Sequence, residues 1–468
     1  MLILFFALLV AASAFALTRS SAAALGILLV GFLQDPARKL VEGEPVIMSV
    51  MVAVVFAFAV LRLWLFKKAP IQEPFVRWSP ELINPMRVYF GLVLLQLIHS
   101  LLRYGSPQLT LLGLIFYLAP FFAIAVAYHC FDRFSDSRRV VQVFCVCAFL
   151  VSVSVLLSFN GVDSELFGEV GSGLLIYDQG TVLRAYSGFM RSSEIAGWHM
   201  GSGICLLIVL VVSRFSGFSA LAVSFAIILM LAAIVVTGRR KMLFQVVLFA
   251  ALYLPFVRYY QNRLPIRYML IIMFLVPLAW LAFNQLTIIQ AESRFDLYLL
   301  RGTSVFGDAT ERFTSLGIGS ISWAMNRFGI FGGGIGVAAQ GAQHLGGSLA
   351  EGAAEGGIGK IVSELGLLAL FVMVWLVAAM ARHIHRCLRL LSQVSNEQLL
   401  MTVGILTFLV VNVPTFVVAS QVYGDVFVLA FLGLLTGALF AIPRQIANEL
   451  QEESTVTLTH PGLSRLSS

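Results

Sequence analysis

The chain has 468 residues, of which 59% are hydrophobic and only 12% charged, against about 25% charged in an ordinary soluble domain. With a mean hydropathy of +0.92, such a composition excludes a water-soluble fold, because too little polar surface is available to cover the apolar residues. The formal net charge of +7 raises nucleic acid as a partner, but the basic residues are scattered between apolar segments instead of forming a patch with aromatics, so no nucleic acid is expected.

A helix needs about 20 apolar residues to cross a ~30 Å hydrocarbon core. Segment 2–17 reads as a first membrane segment and not a cleaved signal, since it lacks a basic leading region and another apolar run follows it closely. Segments 21–34, 45–66, 88–104, 108–129 and 140–159 come next, followed by a first long loop, 160–195. Segments 196–213, 219–237, 242–257 and 268–285 lead to a large loop, 286–361; segments 363–381, 400–420 and 425–442 precede a tail, 444–468. The expectation is one integral membrane domain over 1–468, all-α and polytopic, with about 12–13 transmembrane helices and a large helical extracytoplasmic loop. The five cysteines, Cys130, Cys145, Cys147, Cys205 and Cys387, fall in apolar segments or at their edges, which argues against a disulfide framework.

Orientation follows from Lys and Arg in the short loops. Alternating spans put Lys67, Lys68, Arg133, Arg138, Arg139, Arg214, Arg258, Arg263, Arg267, Arg382, Arg386 and Arg389 on one side, the cytoplasm, together with the tail. The loops 160–195 and 286–361 then lie outside. One short connection breaks the rule: Gly238-Arg239-Arg240-Lys241 falls on the outer side. Either a span is displaced or these side chains snorkel to the interface; alternatively they bind an anion such as a lipid-linked phosphate, whose oxygens match the arginine fork.

The large loop mixes charges of both signs. Asp308 and Glu311 have capping-box spacing, and Phe313, Leu316, Ala324 and Phe328 recur at near-helical intervals, which predicts an amphipathic helix lying on the membrane. Arg312 stands in its first turn, where the helix dipole disfavours a cation unless an anion is nearby. The glycine run Phe331-Gly-Gly-Gly-Ile-Gly336 permits positive φ and close approach of backbone N–H groups to a ligand. Gly359-Lys360 is no phosphate-binding loop, because Ala354 and Ile361 stand where a glycine and a hydroxyl residue are required. His383 and His385 sit among arginines in a cytoplasmic loop, so they read as part of a basic topogenic face and not as metal ligands. The first outer loop ends in Arg191, Ser192, Ser193 and Glu194; either serine can cap the next helix, and Glu194 favours its positive end. His199, about one turn further in, reads as a functional candidate or as an interhelical hydrogen-bonding group.

The order of these features, namely Gly188-Phe-Met-Arg-Ser-Ser-Glu-Ile-Ala196, Thr237-Gly-Arg-Arg240, a large loop with Arg312 and the glycine run, then Ser363-Glu-Leu-Gly-Leu367, resembles the O-antigen ligase and Wzy-type polysaccharide polymerase superfamily. The resemblance implies a membrane-embedded glycosyltransferase of the bacterial inner membrane with its active site facing the periplasm. It would move an undecaprenyl-pyrophosphate-linked glycan to an acceptor glycan or lipid during O-antigen or exopolysaccharide assembly in the cell envelope, with no metal or other cofactor. Membrane lipids and other polysaccharide-assembly proteins are the further partners it implies. By the family pattern, Arg239 or Arg240 and Arg312 hold the pyrophosphate. The sequence departs from the pattern at the family's histidine base, where it carries Glu355; His344 would need an insertion to match. Either Glu355 or His344 is the expected catalytic base, and Arg191, Glu194 and Glu364 are further candidates for substrate contact. Direct attack by the acceptor hydroxyl predicts inversion at the anomeric carbon. The alternative from another class is a polysaccharide or lipid-linked sugar transporter or flippase, which would also use many spans and buried charge.

Overall fold

Apolar runs of span length become helices, and serines at their starts fix where they begin. Ser106, Ser192, Ser219 and Ser395 each accept a hydrogen bond from a first-turn backbone N–H, namely those of Leu109, Ile195, Ala222 and Gln398. The computed structural model describes residues 2–18, 20–65, 70–77, 79–168, 170, 175–178, 181–215, 219–260, 294–303, 311, 313–339 and 356–459.

The helices are α1 (Leu2–Thr18), α2 (Ser20–Lys39), α3 (Val52–Leu65), the short α4 (Glu73–Val76), α5 (Ile83–Tyr104), α6 (Pro107–Cys130) and α7 (Phe134–Phe159). A two-stranded antiparallel hairpin, β1 (Leu175–Asp178) and β2 (Thr181–Arg184), pairs Leu175 with Arg184. Then follow α8 (Ser193–Val212), α9 (Ala220–Val236), α10 (Lys241–Tyr260), α11 (Arg294–Thr303), a π-helical turn (Phe313–Ile318), α12 (Gly319–Phe328), α13 (Gly357–Leu365), α14 (Leu368–Leu391), α15 (Asn396–Val418) and α16 (Val426–Thr459). Among the described residues nine helices are long and apolar enough to cross a membrane, and α1 and α9 are shorter apolar helices. The protein is an all-α polytopic membrane protein. The expected span 268–285 lies outside the described residues.

Two boundaries differ from the sequence reading. The span expected at 363–381 starts at Leu368, because Gly366 adopts φ +83° and separates it from the short α13. The tail expected from 444 continues α16 as helix to Thr459.

The core is formed where α8 and α16 pack among their neighbours. Of the most apolar 18-residue stretch of α8, 89% is buried, against 33% for α14, so α8 is the central helix and α14 a lipid-facing one. Gly433 and Gly437 let α16 approach Ala123 and Ala127 of α6, since a Cβ on either glycine would stand 2.5 Å from the facing alanine Cβ. Such small-residue contacts replace the hydrophobic drive that helices lack inside lipid.

The two ends of the bundle differ in charge. At one end Arg386 pairs with Glu81, Arg444 with Asp132 at 3.0 Å, Arg138 lies over the Phe215 ring at 5.2 Å, and Tyr260 meets His385 at 2.8 Å. Arg133, Arg139, Arg214, Arg258, Arg382 and Arg389 belong to this end by chain alternation. Lys67, Lys68, Arg263 and Arg267 lie outside the described residues. The opposite end carries the β-hairpin, the turn between α9 and α10, α11, the π turn and α12. All five cysteines are buried and unbridged.

Candidate functional site

The turn between α9 and α10 is built for tightness. Thr237 ends α9 with its hydroxyl donating to the Ile234 carbonyl at 2.6 Å and accepting from the Arg239 N–H at 3.2 Å. Gly238 takes φ +66°, and α10 begins at Lys241. Three consecutive cations are thereby set at a helix N-terminus, the positive end of its dipole, which disfavours them unless an anion is near. The anion that meets Arg239 and Lys241 is Glu194, in the first turn of α8. Arg239 Nη1 lies 2.9 Å from Glu194 Oε1, Arg239 Nε donates to Ser193 Oγ at 2.8 Å, and Lys241 Nζ donates to Glu194 Oε2.

This turn borders a cavity of about 550 Å³. Among the described residues, Arg239, Arg240, Lys241 and Arg301 line it together with one carboxylate, Glu194. Arg301, from α11, reaches the turn by donating from Nε to the Gly238 carbonyl at 3.3 Å. Phe244 and Leu248 of α10, Phe313 and Leu316 of the π turn and Val418 of α15 line the cavity with apolar surface. π turns recur at functional sites because they displace side chains from the regular helical register. Among the described residues, four cations and one carboxylate beside apolar walls suit an amphiphile with a multiply charged anionic head. A larger cavity of about 1030 Å³ opens at the other end, where among the described residues Arg133 and Arg138 stand with Asp132 and Glu449.

Arg191 is not in that cavity. Its guanidinium bridges Asp35 of α2 at 2.9 Å and Asp425, just before α16, at 2.6 Å. Burial opposes its charge, but the two carboxylates outweigh that effect and raise its pKa above the ordinary value. Asp425 Oδ1 also accepts from the N–H groups of Phe427 and Val428 at 2.6 and 3.1 Å, so Arg191 locks the starts of α8 and α16 to the end of α2. His199 is likewise removed from the cavity. Its Nδ1 meets the Ile195 carbonyl at 2.8 Å, and its ring stacks between Phe144 and Phe427.

Glu364 also serves packing. It is fully buried, and its Oε2 accepts from Tyr117 at 2.6 Å while Oε1 accepts from Lys360 Nζ and the Ala338 N–H, both at 3.0 Å. Lys360 Nζ also donates to the Ala338 carbonyl at 3.1 Å and sits 4.5 Å over the Phe116 ring. The same latch holds the glycine run. Residues 332–339 are buried, with the Phe331 carbonyl accepting from Gln96 at 2.7 Å and the Ile335 carbonyl from Ser100 at 2.8 Å. A Cβ on Gly336, at φ +91°, would stand 2.2 Å from the Leu109 carbonyl oxygen. The glycines expected to approach a ligand instead let this loop wedge between α5, α6 and α13. The amphipathic helix expected after Phe313 is formed over Gly319–Phe328, with Ala324 buried and Trp323 exposed. Its expected start at Asp308 lies outside the described residues.

Of the sequence-expected site residues, the structure brings Arg239, Arg240 and Glu194 together and places Arg191 and Glu364 in separate buried ion pairs. Arg312, Glu355 and His344 lie outside the described residues. Sequence reasoning passed over Arg301 as a cavity cation, and had Lys241 only as part of the hairpin whose cations could bind an anion. The signal for Lys241 was its place in the same charge-sorting breach; for Arg301 it was an amphipathic segment, Arg294–Thr303, carrying a cation in its last turn. The β-hairpin was also missed, although Leu175-Ile-Tyr-Asp-Gln-Gly-Thr-Val-Leu-Arg184 has apolar strands about a glycine turn. Tyr298 of α11 docks on it, donating to the Arg184 carbonyl at 2.5 Å, which positions Arg301. Neither the comparison with protein-family models nor that with curated proteins gave a match.

Proposed function

We propose that the protein is a glycosyltransferase of the O-antigen ligase or polysaccharide polymerase type, metal-independent and inverting. It works in a bacterial inner membrane with about 12–13 spans, the site facing the periplasm and residues 444–468 in the cytoplasm. The observation that carries this reading is the cavity in which Arg239, Arg240, Lys241 and Arg301 stand beside apolar residues of α10, α15 and the π turn. Undecaprenyl pyrophosphate combines the two chemistries that such a cavity would accept, a diphosphate and a hydrocarbon tail. The breach of charge sorting then has a cause, since the cations face a diphosphate on the same side.

In this reaction the acceptor hydroxyl oxygen attacks the anomeric carbon of the lipid-linked donor, and the bond from that carbon to the diphosphate oxygen breaks. The electron pair leaves with undecaprenyl pyrophosphate, whose charge the arginines stabilise without reorganisation in a site of low dielectric. The hydroxyl proton passes to Glu355 or His344, and Arg312 adds to the diphosphate clamp. Attack from the face opposite the leaving group inverts the centre.

The test uses purified full-length protein in detergent with a lipid-linked glycan donor and an acceptor glycan. Replacing Arg239 and Arg240 together by alanine lowers the transfer rate by about 10²-fold or more in protein that remains folded. Transfer at the wild-type rate overturns the reading. So does movement of lipid-linked glycan across vesicles with no glycosidic bond formed, the result that a flippase gives.

A further inference from the structure

We propose that Glu194 is an internal counter-anion that occupies the place of the ligand's diphosphate, and that incoming ligand must displace it from Arg239 and Lys241. The inference rests on the reading of the cavity as an anion site and adds the means by which that site selects and releases its ligand. Glu194 is only 8% exposed, yet it lines the cavity. Each of its two oxygens faces a different cation, Arg239 at 2.9 Å and Lys241. A carboxylate bridging two cations presents the same oxygen pair as one edge of a phosphate group. Glu194 stands in the first turn of α8 and contacts Lys241, the first residue of α10, and a negative charge is favoured at helix N-termini whichever molecule supplies it.

Arg239 and Lys241, two residues apart in one turn, share Glu194, which offsets their mutual repulsion in a partly buried setting. The carboxylate thereby holds both cations at the cavity edge. The exchange then discriminates by charge. A singly charged anion replaces one negative charge by another and gains little. A diphosphate brings more charge and enough oxygens to reach Arg240 and Arg301 as well, so it displaces the carboxylate. After bond cleavage Glu194 recaptures Arg239 and Lys241 and speeds departure of the diphosphate. Were Glu194 a fixed strut that orients the cations for the ligand, removing its charge would weaken binding. The sign of the change separates the two.

The experiment measures inorganic pyrophosphate binding to the purified full-length protein in detergent by calorimetry, with dimethyl phosphate as a singly charged competitor. Glu194→Gln binds pyrophosphate about 10-fold tighter than wild type, the scale of one hydrogen-bonded charge pair, and dimethyl phosphate now competes. In turnover with lipid-linked donor, KM and kcat both fall, because the product is retained. Unchanged or weaker pyrophosphate binding by Glu194→Gln overturns the proposal. Should that variant fail to fold, Glu194→Asp, which keeps the charge but withdraws it by one methylene, tightens pyrophosphate binding by a smaller factor; weaker binding again overturns the proposal. Absence of pyrophosphate binding by wild type, matched by Arg239→Ala/Arg240→Ala, removes the anion site itself and with it both readings. Wild-type binding that is lost in the double alanine variant but weakened by Glu194→Gln removes only the displacement.

Discussion

Two glutamates at the same end of the molecule, each one residue after a serine and each contacting a lysine, have opposite surroundings. Glu364 is sealed: its oxygens are shared among Tyr117, Lys360 and the Ala338 N–H, with no exposure. Glu194 borders a cavity that, among the described residues, four cations line, and two of them, Arg239 and Lys241, contact it. The pairwise contacts are alike, at 2.9–3.0 Å for Arg239 and Lys360, so contact geometry alone does not separate a latch from a ligand site. What separates them is access, since Glu194 and its cations line a cavity whereas Glu364 is sealed. A balanced buried pair fixes packing, whereas an excess of one sign beside a cavity invites a counter-ion.

The comparison can be broken first at the latch. Glu364→Ala leaves Lys360 buried without its carboxylate and costs about 3–5 kcal/mol of stability, read as a large fall in the thermal midpoint in detergent, while the folded fraction keeps its pyrophosphate affinity. A loss of affinity without loss of stability would place Glu364 in the site. A smaller effect of the same kind is expected from Gly336→Ala, which combines a left-handed backbone with an overlap against the Leu109 carbonyl and destabilises by roughly 1–3 kcal/mol. It too leaves pyrophosphate binding intact, since the glycine run packs against helices and does not line the cavity. The smallest effect sharpens the contrast: raising ionic strength weakens pyrophosphate binding a few-fold through screening of the open cluster. The thermal midpoint lost in Glu364→Ala responds little to the same change, because that pair is shielded from solvent.

The membrane class and nearly every helix were legible because a run of apolar residues has few other fates, and backbone groups in lipid must be satisfied within the helix. The turn at Gly238 was legible as a charge-sorting breach, a statement about three adjacent residues that needs no fold. Its counter-ion was harder to assign. Glu194 lies far along the chain from Arg239, and whether it meets cation, water or sugar depends on how α8 and α10 pack. The glycine run misled for a related reason. Positive φ at Gly332, Gly334 and Gly336 was readable as a possibility, but backbone freed from side chains can approach a ligand or another backbone equally well, and only the positions of Ser100 and Leu109 decide which.

By itself the sequence determined that this protein crosses a membrane many times, that basic residues gather in loops of one parity, and where one patch of positive charge departs from that sorting. Those properties are additive along the chain: hydropathy, helix length and loop charge are sums over neighbours in sequence. The tertiary structure alone decided that Arg301 joins the Gly238 turn, that Arg191 is consumed by Asp35 and Asp425, and that Glu194 stands in the cavity while Glu364 is sealed. These are pairings between residues distant in sequence, set by which helix faces pack together, and burial makes each pairing strong enough to fix what the side chain is free to do.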